Sequence, residues 1–386
     1  MGKVPTMERT TSSAPPDGPV LPDYGGACLS SLVPVLLHGG GAAPSWLPSP
    51  VIGAEQVVLL VVDGLGWEQL QERAESAPTL LSGDGGPITS VVPTTTATAL
   101  TSITTGRTPS EHGVVGYRVA TPDGASGPDV LNVLRWCTGA GDARLRLPAP
   151  TVQKCPPFGG PGVPAITRSE FSSTGFTAAH LSGAHLVGWR VPSTLVVEVG
   201  RMLNAGHPLI YAYYDGIDKV AHEHGLGPHY LAELAAVDRL VGDLLEVLPP
   251  GAALVVTADH GQVEVGASAR VPGPELMAAT ELVSGEGRFR WLHARRGAHD
   301  DLLKAAEDAH GDEAWVRTRG QIIDEGWFGG PLADVVADRL GDVALVAREP
   351  VAFLDPADTG ETRLFARHGS LTSAEMLVPL LGWSGS

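Results

Sequence analysis

Six side chains in this 386-residue sequence are candidate ligands of divalent metal ions, three carboxylates and three imidazoles. They are Asp63, Asp218, His222, Asp259, His260 and His368. Such donors are typical of paired Zn²⁺ sites, in which each ion takes about four ligands. Histidine-rich ligation favours zinc over magnesium because imidazole is a softer ligand than oxygen, and Mn²⁺ or Mg²⁺ are the alternatives. The sequence therefore predicts a site for two divalent cations.

The spacing of these residues supports shared ligation. In DKVAH, Asp218 and His222 lie on one face of a helical turn, where they could chelate a single ion, with His224 as the alternative to His222. In TADHG, Asp259 and His260 point in different directions from a strand end. Taken singly, each motif has an ordinary explanation, because Asp-Gly is a common turn and the chain has thirteen histidines. Their joint placement after apolar segments favours a functional role.

Three apolar segments are predicted to be buried strands that carry several of these residues to one edge of a sheet. They cover residues 56–66, 208–215 and 252–257. Residues 230–248, which lie between the last two, have the periodic apolar positions of an amphipathic helix. Strands that alternate with helices indicate an α/β sheet, and ligands of such sheets bind beyond the carboxyl ends of the strands. We therefore expect the site at that edge.

The threonine-rich segment PTTTATALTSITTGR, which begins at Pro93, offers hydroxyl groups for catalysis. One threonine could be a nucleophile, or the segment could be a core helix with polar side chains. A threonine hydroxyl attacks poorly at neutral pH, and metal coordination is one way to form its alkoxide. Pro93 ends the preceding strand, and the Thr/Ala run can start a helix whose free N–H groups favour a phosphoryl oxygen. The segment alone does not decide between the two.

As an ordered set, these motifs resemble the alkaline phosphatase superfamily and are most similar to its nucleotide pyrophosphatase/phosphodiesterase branch. That branch has an Asp, a Thr, an Asp-x3-His, an Asp-His and a His in the order found here between Asp63 and His368. The resemblance spans roughly residues 20–382. It implies an α/β fold of the alkaline phosphatase type, a three-layer sandwich in which helices flank a central, mostly parallel sheet, with a small α/β cap insertion.

The resemblance also implies roles for individual residues. Thr96, three residues after Pro93 and ten before Gly106, matches the nucleophile and would contact the second metal, with Thr95 as the neighbouring alternative. The ligands of the first metal would be Asp218, His222 and His368, and those of the second would be Asp63, Asp259 and His260.

Ala97 and Tyr117 are the implied substrate-binding residues. Where the branch has an Asn after HG-x-x-G, this sequence has Tyr117. The Asn donates a hydrogen bond to a phosphoryl oxygen, and a Tyr hydroxyl can also donate, but from farther out. Tyr117 is therefore either a substitute donor or a wall residue of the site.

The chain is expected to divide into an N-terminal arm and a catalytic domain. Residues 1–20 are rich in Ser, Thr and Pro and predict a flexible arm, and residues 21–386 form the catalytic domain, with a cap insertion at about 265–345. The organic part of a substrate would be recognised by an insert at about 120–190 or by this cap. Asn132, Trp136 and Phe158 are candidates in the insert, although aromatic side chains more often pack than stack on a base.

Composition excludes several classes of partner. The formal net charge of −17 repels polyanions, so no nucleic-acid polymer is expected, whereas a small anionic substrate can bind beside metal ions. No apolar window is long enough to cross a membrane and the N-terminus has no apolar signal core, which predicts no membrane partner and a cytoplasmic location. Cys28, Cys137 and Cys155 have unrelated spacings, which argues against a disulfide framework and a Cys-based zinc site.

These observations together predict a two-metal hydrolase of phosphodiester or pyrophosphate bonds in a small, nucleotide-like substrate, acting through a phospho- or nucleotidyl-threonine. Close to Thr96 in sequence, the arginines are Arg107 and Arg118, which gives a dianionic monoester few cationic partners. A phosphomonoesterase or a phosphonate hydrolase of the same superfamily is the alternative. A non-catalytic protein that binds metal and a phosphorylated ligand is the alternative of a different class. A sulfatase is not expected, because Cys155 begins a Cys-x-Pro-x-Arg pattern that lacks its Arg.

Overall fold

The computed structural model describes residues 18–37, 43–124, 127–358, 360 and 363–385. Most of the predicted flexible arm, residues 1–17, lies outside these ranges. A central sheet of seven strands forms the middle of the described chain. In spatial order its strands are Asp84–Thr89, Leu377–Ser384, Ala252–Thr257, Gln56–Val62, Leu209–Tyr214, Pro164–Arg168 and His185–Trp189.

The central sheet is mostly parallel. The five strands from Ala252–Thr257 to His185–Trp189 run in the same direction. The strand Leu377–Ser384 is antiparallel to both of its neighbours. With helices flanking the sheet, this arrangement confirms the predicted fold class, an α/β sandwich of the three-layer type.

The three strands predicted from apolar segments lie side by side at the centre of this sheet. Gln56–Val62 pairs with Ala252–Thr257 on one side and with Leu209–Tyr214 on the other. Every residue of these strands except Gln56 is buried, as continuous apolar runs require when both faces of a sheet are covered. Because the strands are parallel, their carboxyl ends meet at one edge, where the chemistry was predicted.

The predicted amphipathic helix is also present, as Pro228–Glu246, and its face toward the core includes Leu234, Val237, Val241 and Leu244. In the described part of the chain, no helix is both long and apolar enough to span a membrane. The α-helices in chain order are Leu29–Leu37, Trp67–Glu72, Pro78–Leu81, Thr96–Thr105, Pro109–His112, Ala149–Val152, Gly175–His180, Pro192–Asn204, Gly216–His224, Pro228–Glu246, Pro274–Ala279, His299–His310, Arg319–Asp324, Asp334–Ala337 and Ser373–Met376.

A second sheet, of four antiparallel strands, is built from the part of the chain that follows the central strands. In spatial order its strands are Thr280–Glu286, Phe289–Ala294, Val343–Ala347 and Ala314–Thr318. The helix His299–His310 packs against it, and Leu302, Leu345 and Phe353 belong to a separate apolar core there. This second sheet occupies most of the segment in which the cap insertion was predicted.

The segment at about 120–190 is not a separate insert, which corrects the prediction. It supplies Pro164–Arg168 and His185–Trp189 to the central sheet. Trp136 and Phe158 are buried among core residues and so pack the fold instead of facing a substrate. The smaller strands are Arg118–Gly124, Gly127–Asn132, Cys137–Thr138 and Gly141–Asp142 in one sheet, and the pairs Val263–Glu264 with Ala366–Arg367 and Ala269–Arg270 with Ala352–Phe353.

Candidate active site

Three predicted ligands lie directly after the two innermost strands. Asp63 follows Gln56–Val62, and Asp259 and His260 follow Ala252–Thr257. All three are almost fully buried. The Nε2 atom of His260 lies 3.4 Å from Oδ1 of Asp63 and 3.4 Å from Oδ2 of Asp259. The parallel register of the two strands therefore brings residues about two hundred positions apart into one cluster.

The other three predicted ligands come from a helix and a short strand beside this cluster. Asp218 and His222 share one face of the helix Gly216–His224, with Oδ1 and Nε2 3.3 Å apart. His368 follows the strand Ala366–Arg367, and its Nε2 lies 3.8 Å from Oδ1 of Asp218. The ring of His368 stacks on that of His260 with 3.5 Å between centroids. The fold thus brings all six candidate ligands together.

Each of the three imidazoles is oriented by a backbone carbonyl. Nδ1 of His222 lies 2.7 Å from the carbonyl oxygen of Ala366, and Nδ1 of His368 lies 2.8 Å from that of Thr94. Nδ1 of His260 lies 3.1 Å from the carbonyl oxygen of Gly261. A carbonyl can only accept, so Nδ1 carries the proton and donates, and the Nε2 lone pair points into the cluster. This is the tautomer that a metal ligand needs.

Two buried carboxylate oxygens in the cluster have no hydrogen-bond donor among the described residues, Oδ1 of Asp63 and Oδ2 of Asp259. Their partner oxygens are bonded, because Tyr213 donates to Oδ2 of Asp63 and the backbone N–H of Gly64 donates to Oδ1 of Asp259 at 3.1 Å. A buried carboxylate oxygen without a donor is costly unless a cation neutralises it. The two oxygens face His260, so the donor set fits a divalent metal.

The electrostatics of the cluster lead to the same conclusion. Burial raises the pKa of Asp63 well above its usual value, and the neighbouring charge of Asp259 raises this pKa further. Burial likewise raises the pKa of Asp259, against the opposing effect of His260. Burial lowers the pKa of His368 well below its usual value, and the imidazole of His260 adds to this shift. Carboxylates that repel one another in a buried cluster form a site that bound cations would stabilise.

The donor atoms fall into two overlapping groups. In one group the ligand atoms of Asp63, Asp259 and His260 all lie within 4.8 Å of one another, and in the other so do those of Asp218, His260 and His368. His260 is therefore close to both groups, whereas the sequence-based division places it with the second metal alone. His222 joins the group of Asp218, His260 and His368 through its contact with Asp218. The division of ligands between the two metals stays a prediction.

Thr96 is the first residue of the helix Thr96–Thr105 and lies against the ligand cluster. Its Oγ1 is 3.3 Å from Nε2 of His260, and only 8% of the residue is exposed. The first N–H group bonded back along this helix is that of Ala99, to Thr95 at 2.9 Å, so the preceding N–H groups, including that of Ala97, are left for other acceptors. Thr94 instead bonds to the segment after His368, donating to the carbonyl of Ser370 at 2.7 Å.

Two cavities meet at Thr96. The first, of about 250 Å³, is also lined by His222, His368 and Tyr117, and the second, of about 310 Å³, is largely apolar. Both are lined by Thr96, Leu134, Arg135 and Asp218, and the second adds Leu100, Phe171, Phe176, Tyr211 and Tyr213 among others. The arrangement offers a metal-ligand cluster and a hydroxyl at the junction of two binding spaces.

The family model described as type I phosphodiesterase / nucleotide pyrophosphatase matches residues 57–137 and 177–371, which is more than half of the chain. The chain belongs to this family. All six candidate ligands and Thr96 fall within the matched residues. Among curated protein sequences, none matches the chain.

Solved structures of related proteins have the same fold as this phosphodiesterase family member. Murine ectonucleotide pyrophosphatase/phosphodiesterase 5 is 16% identical, with a TM-score of 0.64, over 84% of this chain and 87% of that one. An inactive variant of it in complex with AMP has the same identity and coverage and a TM-score of 0.65. Phosphonoacetate hydrolase from Sinorhizobium meliloti 1021, in complex with phosphonoacetate, is 16% identical, with a TM-score of 0.62, over 86% of this chain and 90% of that one.

Tyr117 lies in the first cavity of this family member. The amide of Asn132 donates to its hydroxyl at 2.6 Å, and its backbone N–H donates to Glu286 of the second sheet at 3.0 Å. The side chain of Asn132, a candidate for contact with substrate, is thus hydrogen-bonded to the Tyr117 hydroxyl. The position of Tyr117 in the cavity wall fits either role predicted for it.

Sequence reasoning missed several residues of the site. Tyr213 donates to Asp63, and the amide of Gln262 donates to Oδ1 of Asp218 at 2.6 Å. Both are close in sequence to predicted ligands, and that proximity is the signal that could have indicated them. Arg135 lines both cavities although it is 39 residues from Thr96 in the sequence, and no local motif marks it.

The two arginines considered near Thr96 are occupied elsewhere. Arg118 forms an ion pair with Asp355, and the largely exposed Arg107 pairs with Glu111 at 3.1 Å. Neither lines the two cavities that meet at Thr96. The cationic groups beside these cavities are instead Arg135, Arg367 and Lys219, which only the tertiary structure places there.

Proposed function

We propose that this member of the phosphodiesterase family is a metal-dependent hydrolase that cleaves phosphodiester or pyrophosphate bonds in a small, nucleotide-like substrate, with Thr96 as the nucleophile. The observation that supports this most directly is the position of the Thr96 hydroxyl, 3.3 Å from Nε2 of His260 at the start of a ten-residue helix. A hydroxyl placed among metal ligands and free N–H groups is suited to attack on phosphorus.

The proposed ligands divide as the sequence resemblance implies. Asp63, Asp259 and His260 would hold one ion, and Asp218, His222 and His368 the other. The three imidazoles favour Zn²⁺ over Mg²⁺, with Mn²⁺ as an alternative. A bound divalent ion would supply Lewis acidity, which lowers the pKa of a coordinated hydroxyl and stabilises charge on the phosphoryl group.

In the proposed reaction, Oγ1 of Thr96 attacks phosphorus in line with the leaving oxygen. A bond from phosphorus to Thr96 forms while the bond to the leaving alcohol or phosphate breaks, and the hydroxyl proton passes to solvent. N–H groups at the helix start, including that of Ala97, donate to the phosphoryl oxygens. Water then attacks the phospho- or nucleotidyl-threonine from the vacated side and releases Thr96. Two inversions give overall retention of configuration at phosphorus.

The two cavities at Thr96 favour a diester or pyrophosphate over a monoester. Each substituent of the scissile phosphate would have a space of its own. The larger space, of about 310 Å³, has an apolar wall formed by Leu134, Phe171 and Phe176, which suits an organic group. Glu286 and Gly287 of the second sheet line the other cavity, so residues 265–345 would act as a cap over the substrate.

Arg135 favours a second candidate function, hydrolysis of a phosphomonoester or a phosphonate. It is an exposed cation that lines both cavities, and a guanidinium can pair with an additional phosphoryl or carboxylate charge. Phosphonoacetate, bound in one of the structures with this fold, carries such a second charge. The two candidates differ in the number of negative charges on the substrate.

Turnover of bis-p-nitrophenyl phosphate and of p-nitrophenyl phosphate, each with Zn²⁺ and with chelator, tests the proposal. The diester is expected to be the better substrate, with activity lost in chelator and in Thr96→Ala. A preference for the monoester would replace the first candidate by the second. If no phosphate ester or phosphonate turned over while metal and phosphate still bound, the chain would be a non-catalytic binding protein.

A further inference from the structure

We infer that the buried ion pair between Arg288 and Glu375 positions His368 and the loop before Thr96, and so acts as a positioning device for the active site. This inference rests on the proposed function. Nε of Arg288 donates to Oε1 of Glu375 and Nη2 donates to Oε2, each at 2.8 Å. Both side chains are fully buried. A bidentate pair of this kind has a fixed geometry as well as a fixed charge balance.

The carboxylate of Glu375 lies inside the loop that follows His368. Its Oε1 accepts from the backbone N–H of Ser370 at 2.9 Å, and its Oε2 accepts from the hydroxyl of Thr372 at 2.6 Å. Each oxygen therefore bonds to Arg288 and to this loop. The conformation of residues 369–372 depends on where Arg288 holds the carboxylate.

The same loop is bonded to the segment that leads into the helix Thr96–Thr105. The backbone N–H of Gly369 donates to the hydroxyl of Thr94 at 3.0 Å, and that hydroxyl donates to the carbonyl of Ser370 at 2.7 Å. The carbonyl of Thr94 in turn accepts from Nδ1 of His368 at 2.8 Å. A shift of the loop would therefore move a proposed metal ligand and the residues before the proposed nucleophile together.

Arg288 belongs to the second sheet, in the turn between Thr280–Glu286 and Phe289–Ala294. Its Nη1 donates to the carbonyls of Glu349 and Val351 at 2.9 and 2.8 Å, which fixes the guanidinium within that part of the chain. Gly369 packs closely there, because a Cβ at this position, where φ is 129°, would lie 2.6 Å from Cγ of Glu286. The second sheet thus defines the position of the His368 loop.

Stability alone is a weak reason for such a pair. Replacing a buried ion pair by apolar side chains of similar volume is often neutral or stabilising, because the charges no longer have to be desolvated. The double variant Arg288→Met/Glu375→Leu therefore separates positioning from stability. It removes the bonds to Ser370 and Thr372 without leaving a charge buried alone. Arg288→Lys retains the charge but loses the bidentate geometry.

The first measurement uses metal-free protein labelled with ¹⁵N-histidine, so that it does not depend on catalysis. In the wild type, NMR is expected to show His368 as the single tautomer with the proton on Nδ1, assigned by its loss in His368→Gln. In the double variant a mixture of the two His368 tautomers is expected. In Arg288→Lys the fraction of the second tautomer should lie between those of the wild type and the double variant. An unchanged tautomer in both variants would overturn the inference, whether or not the protein proves to be a hydrolase.

The second measurement is calorimetric titration of the same proteins with Zn²⁺. The affinity of one of two ions is expected to fall about 10–100-fold in the double variant, the range seen when a partner of a metal ligand is lost. The control is Leu302→Ala, which weakens the core of the second sheet without contact with the pair and should lower the melting temperature alone. Equal Zn²⁺ affinities in the wild type and the double variant would show that the pair is merely structural. If the wild type did not bind Zn²⁺, the proposed metal-dependent function would be rejected, and the NMR measurement alone would decide whether the pair positions His368.

Discussion

The Thr96 hydroxyl lies 3.3 Å from Nε2 of His260, although the two residues are 164 positions apart in the sequence. Thr96 begins a helix, and His260 follows a central strand of the sheet. The contact joins the proposed nucleophile to the proposed metal ligands.

Thr96→Ala is expected to lower kcat for bis-p-nitrophenyl phosphate by at least about a thousandfold, because the attacking atom is lost. Zn²⁺ binding should persist, since the carboxylate and imidazole ligands remain. Steady-state kinetics and metal analysis of the purified variant provide the measurement. Thr95→Ala is the matched control, because the Thr95 side chain makes no capping bond to the helix. Comparable losses in both variants would contradict the assignment of Thr96.

Asp63→Asn is expected to raise the melting temperature of the metal-free protein at neutral pH while weakening Zn²⁺ binding. The pKa of Asp63 is raised in the folded state, so the folded protein binds more protons than the unfolded chain above the usual carboxyl pKa. The free energy of unfolding therefore falls as pH rises from about 4, and it goes on falling until the pH has passed the raised pKa. Asparagine has no charge to bury.

Thermal denaturation of wild type and Asp63→Asn between pH 4 and pH 8, with and without Zn²⁺, measures this effect. Without metal, the melting temperature of the variant should rise relative to that of the wild type as pH rises. With Zn²⁺ the order should reverse, because only the wild type has the Asp63 carboxylate that binds the ion. The shift in melting temperature is expected to be smaller than the roughly 2–4 °C per kcal/mol that is typical of domains of about 150–250 residues, because this chain is longer. If the metal-free variant were less stable than the metal-free wild type at pH 8, the charge of the Asp63 carboxylate would already be compensated without a metal ion.

Tyr213→Phe is expected to lower Zn²⁺ affinity about 10–100-fold, because the hydroxyl that orients Asp63 is lost. The structure provides a matched control in Tyr211→Phe. Tyr211 lies two residues earlier on the same strand and is buried, but its hydroxyl has no hydrogen-bond partner in the described part of the chain. Competition with a chelator of known affinity would measure both variants. If they lost affinity equally, the contact between Tyr213 and Asp63 would have no specific role.

Arg135→Gln is expected to raise KM about tenfold for substrates with a negative charge beyond the scissile phosphate and to leave bis-p-nitrophenyl phosphate nearly unaffected. The guanidinium lines both cavities at Thr96, where such a charge would lie. Kinetics with a dinucleoside polyphosphate and with phosphonoacetate supply the comparison. Arg107→Gln is the control, because Arg107 is exposed and paired with Glu111 outside these cavities. An equal change in KM for all of these substrates would show that Arg135 does not recognise the additional negative charge.

The sequence alone determined the central strands, the long helix Pro228–Glu246 and the fold class. Apolar runs such as the one that ends at Asp63 form buried strands wherever both faces are covered, and the spacing of Asp218 and His222 encodes one helical face. The family was also predicted from the order of the motifs, and the family model confirms it. These are local or linear properties, and a sequence records such properties directly.

The tertiary structure decided which other side chains line the site or support it. Arg135, the Tyr213 hydroxyl and the Arg288–Glu375 pair are brought there by sheet register and by the packing of the second sheet, and no local pattern of residues encodes either. The strands Pro164–Arg168 and His185–Trp189 were missed for a related reason. They are short, and their place in the sheet depends on pairing with Leu209–Tyr214 and with each other. Contacts between distant segments exist only once the chain has folded, so the surroundings of the ligands could not be derived from the residues that bear them.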